Sequence, residues 1–152
     1  MYVIHLKLRK QAMLVSAVVL ALCISAAFFL PGCRSNAAEP IPAATEEQRQ
    51  AYLSDLGWAV NSMPVETLDL QLPQTLNEGW TEYAKLQEEQ NLPFADYAGQ
   101  TVRRFTYAVT NYPGIPQGVQ VNLYVCEEQL IGGDIISLGE NGFQTGLAFP
   151  KT

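Results

Sequence analysis

Residues 102–137 read VRRFTYAVTNYPGIPQGVQVNLYVCEEQLIGGDIIS, and this stretch decides the fold. Phe105, Tyr107 and Val109 alternate with polar or small residues, and a second alternation runs from Val119 to Val125. Alternation with a period of two predicts strands that bury one face. A third run follows from residue 130 to residue 137 after only a short connection. Short connections favour antiparallel neighbours, so the stretch is expected to form a meander.

Helical patterns lie upstream of this meander. Thr45 and Gln48 form a capping-box pattern before a first helix, which is expected to end at Gly57. Thr75 and Glu78 form the same pattern before a second helix. Alternating leucines between the two helices predict a further strand. We therefore expect an α+β fold, a two-layer domain with an antiparallel sheet of about five strands and two helices on one face.

Two dipeptides are placed where the predicted sheet must turn. Glu127 and Glu128 occupy a two-residue connection, although neither is suited to positive φ, so a strained turn or a longer loop is expected. Asn141-Gly142 is the strongest hairpin signal in the chain. It predicts a last strand over residues 143–149.

The N-terminal segment predicts a membrane attachment. Ala12 to Leu30 is a run of nineteen residues without a charge, which is about the length that a transmembrane helix needs. Lys7, Arg9 and Lys10 precede it, so the N-terminus is expected in the cytoplasm and the following domain outside, at the cell membrane. The expected organisation is a basic head at 1–11, a transmembrane helix or lipoprotein signal at 12–30, a flexible linker at 31–45 and an extracytoplasmic α+β domain at 46–152.

A lipid anchor is the alternative attachment. Leu30, Gly32 and Cys33 resemble the bacterial lipobox, in which the cysteine is lipidated after cleavage of the signal. Pro31 departs from that pattern, because a small or hydroxyl residue is usual at its position. Both readings, the uncleaved span and lipidated Cys33, hold the domain at the outer face of the membrane.

All acidic residues of the chain follow Cys33, and their charge disfavours anionic partners. The residues after Cys33 carry fifteen acids and six bases, which gives this part a formal charge of −9. Such a balance repels phosphate backbones and anionic lipid head groups, so no nucleic-acid partner is expected.

Catalytic sets are missing from the sequence of the outer domain. His5 is the only histidine and lies in the cytoplasmic head, so neither a Ser-His-Asp nor a Cys-His pair is available outside. Cys126 is the only cysteine of the outer domain and is interpreted as an ordinary strand residue. No metal site, cofactor or catalytic residue is therefore predicted, and the domain is expected not to be an enzyme.

Three residues are candidate contacts for a ligand or partner. Asp134 follows Gly132-Gly133, a pair that lets a ligand or another backbone come close, although a β-bulge packed beneath a helix is the favoured explanation. Arg104 belongs to the one basic pair of the acidic domain and is expected to pair with an acid such as Asp134. Tyr112 lies on a proline-stiffened turn, where an aromatic side chain is a plausible partner contact.

The motifs of the meander also carry a resemblance. V-R-R-F-T-Y-x-V-T-N-Y-P-G, V-x-V-N-L-x-V, L-I-G-G-D-I and G-F-x-x-G-L occur in this order after a helix that ends Leu56-Gly57-Trp58. From about Thr45 to Ala148 the chain resembles the domain of unknown function 4830 family, small membrane-anchored surface proteins of Gram-positive bacteria. The resemblance implies location and architecture, and it brings no activity, cofactor or catalytic residue.

Three hypotheses of function follow from these features. The preferred one is a membrane-tethered, non-catalytic module at the cell envelope that binds or senses an envelope protein, peptide or polymer. An enzyme that uses acids alone on cell-wall material is the second, and it requires two carboxyl groups facing one cleft. The third is an accessory subunit whose anchor helix packs against another membrane protein through small residues, namely Ser16, Ala17, Ala21, Ser25 and Ala26.

Overall fold

The computed structural model describes residues 39–139 and 142–151 of the chain. The predicted basic head, the apolar segment 12–30, Cys33 and most of the linker lie outside these residues. None of the helices in the described ranges has the length and hydrophobicity that a bilayer crossing needs.

The described part of the chain is an α+β fold with one five-stranded antiparallel sheet and two α-helices, as predicted. The strands are paired in the order β1-β2-β3-β4-β5, so every strand lies beside its neighbour in sequence. The elements are α1 (Glu46–Asp55), β1 (Glu66–Gln71), α2 (Glu78–Glu88), a 3₁₀ helix (Phe94–Tyr97), β2 (Thr101–Ala108), β3 (Val119–Cys126), β4 (Gln129–Ser137) and β5 (Gln144–Thr145).

The sheet separates two cores, and each core is covered by a different helix. On one face, the α1 face, Tyr107 and Leu123 pack with Leu53 of α1. On the opposite face, the α2 face, Tyr124 of β3 packs with Tyr83 of α2. Successive residues of a strand point to opposite faces, so Leu123 and Tyr124 separate the two cores. The prediction that both helices cover one face is wrong, and the domain has three layers.

Apolar side chains on the second face explain the extra layer. The α2 face also buries apolar side chains, namely Val102, Cys126 and Ile131. They lie beside polar residues, which alternate along β2 with the apolar side chains of the α1 face. A sheet that is apolar on both faces must cover both to keep them from water. Helix α2, inserted between β1 and β2, supplies the second cover.

The first predicted helix start is confirmed and the second is displaced. The Thr45 hydroxyl accepts the Gln48 amide hydrogen at 3.3 Å, and the Gln48 side chain accepts the Thr45 amide hydrogen at 3.1 Å. Helix α2 is capped by Asn77, whose side chain accepts from the Trp80 amide at 3.2 Å. It therefore begins later than the pattern at Thr75 predicted, because asparagine is itself a strong N-cap.

The connection between β3 and β4 is a two-residue turn. Glu127 has φ of 48° and Glu128 has φ of 68°. Positive φ at both central residues is the pattern of a type I′ turn, so the sheet twist imposes this geometry on unfavourable residues. The last strand is shorter than predicted, because only Gln144–Thr145 pairs with β4. Asn141 of the predicted hairpin signal lies outside the described residues.

Residues before the first helix belong to the packed structure. The Ala43 amide donates to the Glu128 carbonyl at 2.9 Å, and the Leu130 amide donates to the Ile41 carbonyl at 2.8 Å. Ala43 itself is 2% exposed. The packed region thus begins upstream of residue 46, the predicted start of the domain.

Candidate functional site

Helix α2 places an aromatic cluster on its face of the sheet. Trp80 and Tyr83 are three residues apart and so share one side of the helix. Their ring centroids are 6.0 Å apart with an interplanar angle of 89°. Phe94 stacks on Trp80 at 5.7 Å, and Tyr124 of β3 lies 5.4 Å from Tyr83. The cluster fixes α2 on the sheet, since such aromatic pairs add to the energy of burial.

A row of buried polar side chains crosses the middle strands beside this cluster. Thr106, Asn122 and Asp134 are opposite one another in the register of β2, β3 and β4. The Thr106 hydroxyl donates to Asn122 Oδ1 at 2.7 Å. Asp134 is 1% exposed and accepts hydrogen bonds from Tyr83 Oη at 2.9 Å and from Gln144 Nε2 at 3.0 Å. The Asn122 Nδ2 atom lies 3.4 Å from Asp134 Oδ2.

Burial dominates the acid–base properties of this row. It raises the pKa of Asp134 above the ordinary value of 3.8, although the hydrogen bonds from Gln144, Tyr83 and Asn122 favour the charged form and oppose the rise. Burial also raises the pKa of Tyr83 well above 10.0, and the neighbouring charge of Asp134 adds to that effect. The Tyr83 hydroxyl therefore stays protonated at neutral pH and remains a donor to the carboxylate.

Replacement of Asp134 by asparagine is expected to change how stability depends on pH. Because the folded pKa of Asp134 is raised, the folded protein binds this proton more tightly than the unfolded chain does. The contribution of Asp134 to stability is present below the unfolded pKa and is lost as pH rises through the folded pKa. The free energy of unfolding of the wild type minus that of Asp134→Asn should therefore decrease as pH rises above 3.8. Urea unfolding at a series of pH values measures this difference in the free energy of unfolding. A difference that increases with pH would contradict the raised pKa of Asp134.

A groove of about 430 Å³ opens beside α2 above the polar row. Its size is within the usual range of ligand pockets. Gly79 lies at its wall, and a Cβ added there would have Asn77 Oδ1, at 3.8 Å, as its nearest contact outside the backbone of α2 and the two adjacent residues. The groove is lined by aromatic, apolar and polar side chains from α2 and the sheet: Asn77, Gly79, Trp80, Glu82, Tyr83, Leu86, Tyr124 and Gln144.

Arg104 and Asp134 both lie on the α2 face, but they do not pair. The Arg104 guanidinium donates to the Glu66 carboxylate on the edge strand β1. Arg104 is opposite Tyr124 in the register, and its positive charge opposes the rise in the pKa of Asp134. The predicted ion pair between Arg104 and Asp134 is therefore replaced by an edge pair, because β1 brings Glu66 nearer.

Tyr112 lies on the other side of the sheet, away from the groove. Its ring stacks on Trp58 at 5.8 Å and lies 5.3 Å from the ring of Phe143. It is half-buried against the core of the α1 face. The loop residue predicted as a partner contact thus packs onto the domain, and the structure does not bring it together with Arg104 or Asp134.

Cys126 also takes a structural position. It is buried on the α2 face, and burial raises the pKa of its thiol, which disfavours the reactive thiolate. Across residues 39–139 and 142–151, no three His, Cys, Asp or Glu side chains are grouped as a metal site would need. Asp134 is the only buried carboxyl group in the same ranges, whereas an acid-only hydrolase would need a second one facing it.

Sequence reasoning missed most of the groove. The spacing of Trp80 and Tyr83 predicts only that they share one side of a helix, and nothing local shows that they border a groove. Tyr124 lies between Leu123 and Val125, and the alternation alone does not show what covers its face of the strand. Gln144 meets Asp134 only because β5 pairs with β4. A surplus of aromatic residues on α2 was the one available signal.

No family model, curated protein or solved structure matches the chain. The resemblance to the domain of unknown function 4830 family therefore remains a prediction. Function is inferred from the groove and from the sequence.

Proposed function

We propose that the chain is a non-catalytic binding or sensing module, tethered to the outer face of a membrane, and that the groove beside α2 is its binding surface. The observation that carries this proposal is the groove itself. Its walls come from a helix and from the sheet, and both are fixed by the aromatic cluster and by the hydrogen bonds to Asp134. Ligand sites are typically concave surfaces of this kind, with few polar groups in fixed positions.

The rigidity of the groove favours binding. Tyr83 and Gln144 line it, and each donates a hydrogen bond to the buried Asp134 carboxylate. Their orientations are therefore fixed before a ligand binds, which reduces the side-chain entropy that is lost on binding. The tether, through the apolar segment 12–30 or through Cys33, would present this surface to partners in the cell envelope.

Filling the groove tests the proposal. Gly79→Trp places a large side chain at the wall of the groove, where the nearest contact of the new Cβ outside the helix backbone and the adjacent residues is Asn77 Oδ1 at 3.8 Å. The full-length chain is used as bait on intact envelopes, and captured partners are identified by mass spectrometry. We expect the Gly79→Trp variant to capture at least about tenfold less of a partner that the wild type captures, since the filled groove excludes the ligand.

The matched control is Gly79→Ala, which changes the same helix position without filling the groove. It should capture the partner as the wild type does. Equal capture by all three proteins would show that the groove is not the binding surface, and the proposal would then be rejected.

A further inference from the structure

The first strand of the sheet has a free edge. β1 lies at the end of the strand order and, among the described residues, pairs with β2 alone. The next pair of this register, Leu72 and Gln100, is joined by an amide-to-carbonyl hydrogen bond of 2.9 Å. Because the backbone groups of a strand point alternately to its two sides, Thr67, Asp69 and Gln71 direct theirs away from β2. Such unpaired groups are a template for a further strand.

Exposed apolar side chains are concentrated beside this edge. Met63, Val65 and Leu68 are 66%, 51% and 41% exposed, and they are three of the four large apolar side chains that are exposed in the described ranges. Residues 66–69 are all exposed, so no described element covers this part of the strand. The edge therefore offers a partner both apolar contact and unpaired backbone groups.

The charges of the edge are neutralised within the domain. Glu66 and Asp69, the two acids of β1, form ion pairs with Arg104 and Arg103 of β2. The edge thus carries as many bases as acids, unlike the acidic domain as a whole. It neither selects a cationic partner nor repels a second copy of itself at close range.

The strand is complementary to itself in one register. In an antiparallel pair of two copies centred on Leu68, each Leu68 lies opposite its counterpart and each Thr67 lies opposite Asp69. Thr67 and Asp69 both direct backbone groups outwards, so each such pair exchanges two backbone hydrogen bonds. The threonine hydroxyl is placed to donate to the carboxylate of the other copy. A register centred on Asp69 would instead place two carboxylates directly opposite each other, which is unfavourable.

We infer that two copies of the chain pair through β1, in the register centred on Leu68, and join their sheets into one continuous antiparallel sheet. The inference does not depend on the proposed binding function of the groove. The formal charge of −9 after Cys33 opposes the approach of two copies. At an ionic strength of about 0.15 M this repulsion is screened beyond about 8 Å, so it does not prevent contact at the neutral edge.

Disulfide cross-linking tests the register. The full chain is purified in a mild non-ionic detergent, with Cys23 and Cys33 replaced by serine and buried Cys126 retained. Residues directly opposite in a non-hydrogen-bonded pair have Cα atoms about 4.5 Å apart, which is within reach of a disulfide. Under mild oxidation Leu68→Cys should therefore become a covalent dimer. Leu138→Cys is the matched control, 63% exposed beyond the end of β4, and should remain monomeric.

Analytical ultracentrifugation of the full chain in the same detergent measures the association itself. The wild type should be a dimer, and Leu68→Lys should raise its dissociation constant at least about tenfold, because the pairing brings the two lysines together. Leu138→Lys makes the same change away from the edge and should leave the dissociation constant unchanged.

Three results would each overturn the inference: a monomeric wild type, equal dissociation constants for the two lysine variants, or equal cross-linking of the two cysteine variants. A dimer held by the apolar segment 12–30 would give the second result. Circular dichroism shows whether Leu68→Lys is folded, and if it is not, the cross-linking comparison decides.

Discussion

Replacement of Arg49 by methionine is expected to lower the free energy of unfolding by about 3 kcal/mol. Arg49 is 6% exposed and joins α1 to the sheet. Its Nε donates to Tyr107 Oη at 2.8 Å, and its Nη1 donates to the carbonyls of Ala43 and Ala44 at 2.8 and 2.9 Å. Its guanidinium carbon lies 3.7 Å from the Phe105 ring centroid. Methionine keeps the apolar stem but leaves these acceptors, of which Tyr107 Oη and the Ala43 carbonyl are buried, without a donor.

The tyrosine beneath the guanidinium shows why the cost is large. Burial raises the pKa of Tyr107 to about 12, so its hydroxyl remains protonated, accepts from Arg49 and donates to Glu46 at 3.1 Å. Arg49 also pairs with Glu46 at 3.0 Å. Removing the cation breaks a connected network rather than one contact, and such networks lose more than a single bond.

Arg103→Met is the matched control for this loss. Arg103 also forms an ion pair, with Asp69, but both side chains are more than half exposed. Water replaces such a pair readily, so the control should lower the free energy of unfolding much less than Arg49→Met does. Urea unfolding followed by tryptophan fluorescence measures both variants, because Trp58 and Trp80 are the two tryptophans of the chain and belong to different faces of the sheet. Equal losses would contradict the role given to Arg49.

Replacement of Gly133 by alanine is expected to lower the free energy of unfolding by about 2–3 kcal/mol. A Cβ at this position would lie 2.6 Å from Leu147 Cδ1 and 2.9 Å from the Asn122 carbonyl oxygen. The side chain of Leu147 could rotate, but the carbonyl belongs to the neighbouring strand. Relief of the clash must therefore move β3 and β4 apart, at the row that holds Asp134.

Gly79→Ala is the control for Gly133→Ala. It adds the same methyl group in open space on a helix, where alanine is favoured over glycine by about 0.5–1 kcal/mol. The control should thus be slightly more stable than the wild type in urea unfolding. Two variants of equal stability would show that the sheet around Gly133 yields easily to the extra methyl group. In that case the close approach at the Gly132-Gly133 pair would not be a structural requirement.

The two faces of the sheet differ in what they offer a partner. The α1 face carries an apolar core to which Trp58, Tyr112 and the network of Arg49 are attached. The α2 face combines an aromatic cluster, a buried carboxylate and an open groove. The proposed binding surface lies on the α2 face, whereas the network of Arg49 stabilises the domain on the α1 face.

The sequence by itself determined the features that depend on near neighbours. The capping pair Thr45 and Gln48 began a helix as predicted, since its hydrogen bonds join residues three apart. Alternation in residues 102–137 predicted the meander, because side-chain direction in a strand has a period of two. The two-residue connection at Glu127 and Glu128 was also placed correctly, although its strain did not lengthen it.

Only the tertiary structure decided which face each helix covers and which residues form the groove. Thr106, Asn122 and Asp134 meet because the strand register aligns residues that lie 16 and 12 positions apart. Helix α2 reaches Asp134 across 51 positions through Tyr83. Periodicity shows which residues of an element share a side, but it does not show what that side packs against. Both sides of β3 are buried, so the sequence pattern is compatible with helices on one face of the sheet or on both. The packing of α2 against Tyr124 shows that the two helices cover different faces.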